Sequence, residues 1–394
     1  MKRILIIGAG FLQTFIIVKA KELGYETVVV DGNPKSIGFR YADEYKTIDI
    51  VDQESCLAYA KEKKVDGVLT AATDYGVLTS AYISQQMSLP GIDYKVAQTV
   101  KNKFYIRRTL FTSQIDDLSH YYLISDLNEI DQLRDSIHFP VMVKPCDGSG
   151  SKAIKRVNSI QHLRSACRMA IASSNVGKAL IEDFIVGKEY GVESFVYNGH
   201  VHVLAILDKQ MTSPPIYAEL GHSLPSGLAI EKEVKTVVSN AIITLGIDFG
   251  AVNMDILITS DNKIYIVDVG ARMGGNLIGS HIVPLHTGID YMGNLIRAAV
   301  GDEVNMASVG TYAVATKILA LKPGKITGLP DFNKITHQCQ VHIFHHLQVH
   351  DSIREYKNNL DGCGYVLAVS SDKNDCLRRV ELAKQMIDEG IVRA

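Results

Sequence analysis

The sequence predicts a mixed α/β and α+β protein in three parts, and three observations predict it. In the first third, short β-branched runs alternate with helical stretches, the pattern of a parallel, doubly wound sheet. In the centre, residues 256–269 alternate in polarity about a polar turn, Ser260-Asp261-Asn262-Lys263, which signals a hairpin. After Gly301 the pattern turns mostly to strands and ends in one helix over 375–388. With 394 residues, two to three domains are expected at roughly 100–200 residues each.

Residues 3–8, Arg-Ile-Leu-Ile-Ile-Gly, read as a fully buried first strand. A charged start and an apolar run are also features of a signal peptide. This run is short, β-branched and followed by Gly8-Ala9-Gly10, so the strand is the better reading. A helix follows, turning Phe11, Phe15 and Val18 to the sheet. Residues 26–31 form a second buried strand, 54–63 a helix and 66–70 another strand. The unit closes near Leu89-Pro90-Gly91, giving a Rossmann-like N-terminal domain over 1–94. A helix with a basic face follows over 95–110, then a strand at 121–125, a helix at 128–136 and a strand at 140–144. A Gly/Ser-rich loop, 147–152, precedes a helix at 159–173 and strands at 179–184 and 189–197. The central part is set at 95–305 and a β-rich C-terminal domain at 306–394.

Lys plus Arg number 41 and Asp plus Glu 43, a formal net charge of -2. That balance argues against a general nucleic-acid binder, which carries an electropositive footprint. No run of about 18 apolar residues occurs, so no membrane span is expected. The six cysteines contain no C-x-x-C pair and form no zinc or redox motif. They fit a reduced, cytoplasmic protein whose thiols fill the core. The histidines at 337, 342, 345, 346 and 350 alternate like a half-exposed strand and include no compact ligand pair.

Gly8-Ala9-Gly10 after a strand, with Asp31 ending the next, is part of a dinucleotide fingerprint. The third glycine is replaced by Gln13, and a tight turn without a nucleotide is the plainer reading. A stronger set of signals spans 103–276. Lys144 ends the strand Phe139-Pro140-Val141-Met142-Val143 and adjoins the loop Asp147-Gly148-Ser149-Gly150-Ser151-Lys152. A strand-end cation beside backbone and hydroxyl donors suits a polyphosphate. Lys103 on the basic helix adds a second cation, or belongs to a solvated face with Lys101, Arg107 and Arg108. In the segment 180–190, acids flank an apolar stretch able to wall an adenine, with Glu189 placed to accept from ribose hydroxyls; otherwise it is an edge strand with exposed acids. Asp255 and Asp268 lie on the two arms of the hairpin, where facing carboxylates repel unless a cation sits between them. Mg²⁺ takes such oxygen ligands together with water and phosphate. Arg272, four residues on, suits charge developing on a transferring phosphoryl group.

The segments FPVMVKPCDGSGSK, LIEDFIVGKEYGVES, NMDILI and YIVDVGARMGGN resemble the successive motifs of ATP-grasp ligases, in the family's order. The resemblance covers nearly the whole chain. It implies an ATP-grasp core with a lid subdomain at about 112–182, preceded by the Rossmann-like domain and closed by the C-terminal strands. Lys103 and Lys144 would hold ATP phosphates under a lid loop of Gly148, Ser149, Gly150 and Ser151. Glu182, Phe184 and Ile185 would frame adenine, and Glu189 would hold ribose. Asp255 and Asp268 would bind Mg²⁺, with Mn²⁺ as the alternative, and Arg272 would steady the acyl-phosphate transition state. Many relatives carry Asn as a metal ligand where this chain has Gly270, which leaves the metal number open. The Pro-punctuated stretch 214–226 resembles the substrate loop of ATP-grasp L-amino-acid ligases. There Glu219 would hold a substrate ammonium, and His222 a carboxylate or a transferring proton. Asn276 and Asp74 would complete the substrate pocket.

The expectation is therefore an ATP-dependent ligase that phosphorylates a carboxylate and passes it to an amine, both small molecules. Cytoplasmic location and assembly as a homodimer go with it; nucleic acid and membrane are not expected partners. The competing readings are an ATP-grasp enzyme of carbamoyl-phosphate or purine-carboxylation chemistry, a nucleotide-binding protein without catalysis, and a nicotinamide-dependent oxidoreductase.

Overall fold

A computed structural model describes residues 1–148, 150 and 152–394; Ser149 and Ser151 of the expected lid loop lie outside the described residues. The N-terminal sheet has four parallel strands in the order Glu44–Thr47, Glu26–Asp31, Arg3–Ile7, Gly67–Thr70. Ile4 to Ile7 are wholly buried, as expected for a continuous β-branched run covered by helices on both faces. Helices Thr14–Glu22 and Gln53–Lys63 connect the strands, and Val77–Met87 follows the last of them. The chain leaves Gly67–Thr70 at the C-terminal end of the sheet, the side where parallel sheets hold ligands, and there presents Ala72 to Tyr75.

The helix expected over 95–110 is two helices, Tyr94–Val100 and Lys103–Thr112. Asn102 explains the break: its side-chain oxygen accepts from the amides of Phe104 at 3.0 Å and Tyr105 at 3.3 Å, capping the second helix. The Lys103 amide also donates to the Cys146 carbonyl at 2.7 Å, which ties this helix start to the base of the Gly/Ser-rich loop. The expected helix at 128–136 is reduced to Glu129–Gln132. A four-stranded antiparallel sheet, ordered Tyr121–Ile124, Ala179–Asp183, Val141–Pro145, Lys155–Val157, packs on the helix Ile160–Ser173.

An eight-stranded antiparallel sheet dominates the rest. Its order is Ile264–Gly270, Gly250–Ile258, Lys188–Tyr197, His200–Met211, Glu219–Leu224, Ala313–Ile318, Gly364–Ser370, His342–His345. The stretch 214–226, expected as one loop, is half strand: Glu219–Leu224 pairs on both sides, with His200–Met211 and with Ala313–Ile318. The prolines bracket that strand at 214, 215 and 225 rather than keeping it out of the sheet. The C-terminal part also holds the helix Phe332–Cys339 where a strand was expected, and the final helix runs over Lys373–Gly390. Helices Glu231–Thr244 and Tyr291–Ala299 also pack on the core. All six cysteines are buried and free; burial pushes the thiols of Cys56, Cys146 and Cys167 up to about 12, as inert core residues require. No helix among the described residues is long and apolar enough to cross a membrane.

Candidate active site

The N-terminal sheet edge, the four-stranded sheet, the eight-stranded sheet and the turn at Asn359 enclose a cavity of about 670 Å³. Lys144 lies at the end of its strand, nearly buried, and its Nζ donates to the Val267 carbonyl at 2.9 Å. It also pairs with Glu182 Oε1 at 2.5 Å. Glu182 Oε2 is buried without a hydrogen-bond partner, although Arg107 Nε stands 3.5 Å away. Phe184 and Ile185 continue this wall, and Arg156 stacks over the Phe184 ring at 4.3 Å. Gly148 and Gly150 line the same cavity.

Asp255 and Asp268 are register partners across the hairpin. Lys103 Nζ pairs with Asp268 Oδ1. Burial, together with the charges of Glu189, Glu219 and Asp268, pushes Asp255 up to about 6 in spite of Lys209. Opposed carboxylates in that state favour a cation between them. Among the described residues no three His, Cys, Asp or Glu side chains form a metal cage. Two carboxylates in a phosphate-sized cavity fit Mg²⁺, which keeps waters and borrows substrate oxygens, rather than a metal that demands a full protein ligand set.

Arg272 is held in a fork by a residue from the N-terminal sheet. Its Nε and Nη2 donate to the two oxygens of Asp74, each at 2.9 Å, and Nη1 donates to Asn253 Oδ1 at 3.3 Å. Against the cost of burial, Arg272 and then Lys101 and Lys103 hold Asp74 down at about 2. Gly270 now has a physical reason. A Cβ there would stand 3.1 Å from Asp74 Oδ1 and 3.2 Å from the Arg272 guanidinium carbon, so a side chain at 270 would press on the pair.

On the far wall, Glu219 has most of its capacity spent. Lys209 takes Oε1 at 2.7 Å, while Asn276 Nδ2 and Asn359 Nδ2 donate to Oε2. Lys209 and His222 hold Glu219 well below the usual carboxylate range against the upward push of burial. Asn276 is itself fixed by the Tyr365 hydroxyl, which donates to its Oδ1 at 2.9 Å. His222 differs from expectation. It is wholly buried behind Glu219, its Nε2 3.6 Å from Glu219 Oε2, and does not line the cavity. A register shift opposite Glu219–Gly221 pairs His222 with Lys209, so His222 shares the side of the sheet that carries Lys209 and is kept from the cavity by lying behind Glu219.

The Gly8–Gly10 turn does not offer a dinucleotide site. Asp31 spends Oδ2 on the Ala9 amide at 2.7 Å. Gln13, in place of the third glycine, lies over the turn, its Oε1 2.8 Å from where a Gly10 Cβ would be.

Residues 137–280 match the family model described as the ATP-grasp domain. Over that segment the chain is similar to the ATP-grasp domain. Its fold is similar over its full length to the crystal structure of an L-amino acid ligase from Bacillus licheniformis. That pair has a TM-score of 0.84 at 21% identity, with 100% of this chain and 99% of the other covered. A phosphoribosylglycinamide synthetase from Anaerococcus prevotii is similar with a TM-score of 0.78 at 23% identity, covering 100% and 99%. A formate-dependent phosphoribosylglycinamide formyltransferase from Bacillus velezensis is 22% identical over 285 residues, 69% of this chain and 71% of that one.

The ATP-grasp domain thus meets the N-terminal sheet at one cavity, and all but one of the expected site residues that are described line it. Several residues there had no prior signal. Lys209 sits among Glu189, Glu219 and Asp255. The alternation Ala205, Leu207, Lys209 places it on a buried face, which is the one clue the sequence holds. Glu193 is wholly buried and accepts from Asn253, Tyr291 and the Gly274 amide; burial outweighs these donors and raises it to about 7. Asn253, Asn359 and Tyr365 are brought in by chain segments far apart in sequence.

Proposed function

We propose that this chain is an ATP-dependent ligase that activates a carboxylate as an acyl phosphate and transfers the acyl group to an amine, forming a carbon–nitrogen bond. The observation that carries it is the convergence in one cavity of two strand- and helix-anchored lysines, two facing aspartates and one forked arginine. Similarity to an L-amino acid ligase favours amino acids as substrates. Lys103 and Lys144 hold the phosphates, with Gly148, Ser149, Gly150 and Ser151 closing over them. Glu182, Phe184 and Ile185 take the adenine and Glu189 the ribose. Asp255 and Asp268 hold Mg²⁺, or Mn²⁺ in its place, which supplies charge neutralisation at the phosphates. Arg272 meets the charge that develops as the phosphoryl group moves to the carboxylate. Glu219 and Asn276 face the reacting ends of the substrates, and Asp74 acts on them through Arg272.

Calorimetry is the first test: ATP is expected to bind, more tightly with Mg²⁺, and NAD is not. Binding of NAD without ATP would overturn the assignment. The second is a screen of carboxylate and amine pairs, amino acids first, for ADP release. ADP release with bicarbonate alone would replace this reading by a carboxylase-like one. ATP binding without release for any pair would favour a nucleotide-binding role without catalysis.

A further inference from the structure

We infer that Lys209 is a built-in cation of this site, permanently filling one cation position of the acid cluster, so that nucleotide is taken up with a single divalent ion. The inference rests on the nucleotide-and-metal reading above and concerns how many ions that reading requires. Lys209 Nζ lies 2.6 Å from Glu189 Oε1, 2.7 Å from Glu219 Oε1 and 2.8 Å from Asp255 Oδ1. An ammonium has three donors, and each faces a carboxylate from a different strand of the eight-stranded sheet. The side chain is 2% exposed, so water does not compete for these contacts. The position is that of a cation bound by oxygens on three sides.

The oxygens that remain decide the ion count. Asp255 has spent Oδ1 on Lys209, and Asp268 has spent Oδ1 on Lys103. Each aspartate keeps one oxygen for a metal. Gly270 supplies none, and a side chain there would meet Asp74 and Arg272 at 3.1 and 3.2 Å. Two carboxylate oxygens suffice for one Mg²⁺ completed by water and phosphate; a second divalent ion would have no protein carboxylate left on this hairpin.

The test is an ion count on the full chain, with Mn²⁺ as the paramagnetic probe and a non-hydrolysable ATP analogue in excess. Electron paramagnetic resonance is expected to show one Mn²⁺ bound per chain. Lys209→Met frees three carboxylate oxygens around a vacated position and is expected to bind a second Mn²⁺, at least tenfold tighter than any second ion on the unaltered chain. Should that variant fail to fold, Lys209→Met combined with Glu219→Gln keeps the net charge, leaves three oxygen ligands, and carries the same expectation. Two tight ions on the unaltered chain would overturn the inference, and so would an unchanged count in a folded variant, which is the mark of a merely structural lysine. Failure of the analogue to bind at all would strike instead at the nucleotide reading.

Discussion

At Arg272 the structure joins two requirements that pull apart on mutation. The guanidinium faces the cavity, and it is also the partner of a half-buried Asp74. Arg272→Ala is therefore expected to lower kcat on the order of 10²-fold while nucleotide affinity is largely kept. It also strands the half-buried Asp74 carboxylate, at a cost below the roughly 3–5 kcal/mol of a fully buried pair. Adding Asp74→Asn should recover much of that stability without recovering turnover. Urea unfolding, nucleotide affinity and kcat on both variants separate the roles; near-normal turnover in the stabilised double variant would end the catalytic assignment. Lys144 is similar. Lys144→Ala removes a phosphate-facing charge and leaves Glu182 buried without its closer cation, only Arg107 remaining at 3.5 Å. Weaker ATP binding and a lower melting temperature should appear together, and an unaltered ATP affinity would give this lysine another job.

Among the elements, the helix Lys103–Thr112 shows how local structure aims a side chain. Lysine at a helix start is unfavourable, because the helix dipole is positive there. The Asn102 cap and the Lys103–Asp268 pair offset that cost. Asn102→Ala is expected to cost about 1 kcal/mol and to weaken ATP binding severalfold by loosening Lys103, whereas Asn102→Asp, also a good cap, should keep both. Denaturant unfolding with calorimetry checks this, and equal ATP affinity in the Ala variant would show that Lys103 is held without the cap. The strand Glu219–Leu224 is a second case. Inside the sheet it fixes Glu219 against Lys209 and buries His222 behind Glu219, which a free loop would not do.

For the whole molecule, the Asp74–Arg272 pair links the N-terminal sheet to the ATP-grasp domain. In the folded protein Asp74 is held down at about 2, below its ordinary value of about 3.9. Its contribution, about 2 kcal/mol by linkage, is present in full above the unfolded value and is lost as pH falls through about 2. Unfolding free energy should therefore decline between about pH 4 and pH 2, and Asp74→Asn should flatten that part of the profile. The same slope in both proteins would mean that other carboxylates carry the acid sensitivity.

The sequence by itself determined most of the elements and most of the residues that line the cavity. β-Branched runs announced the parallel sheet, polar punctuation announced the hairpin at 260–263, and the order of Lys144, Asp255, Asp268 and Arg272 marked the ATP-grasp domain. These signals are local, because strand burial, turn chemistry and motif spacing act within a few residues. Only the tertiary structure decided what each charge is paired with. Lys209 meets acids from three strands, Asp74 reaches Arg272 across 198 positions, and Gly270 is small because that pair lies against it. His222 was read as a site residue because the stretch 214–226 resembles a substrate loop, and it is buried behind Glu219 because that stretch is a strand paired on both sides. Pairing at long range depends on sheet order and register, which no short window of sequence contains.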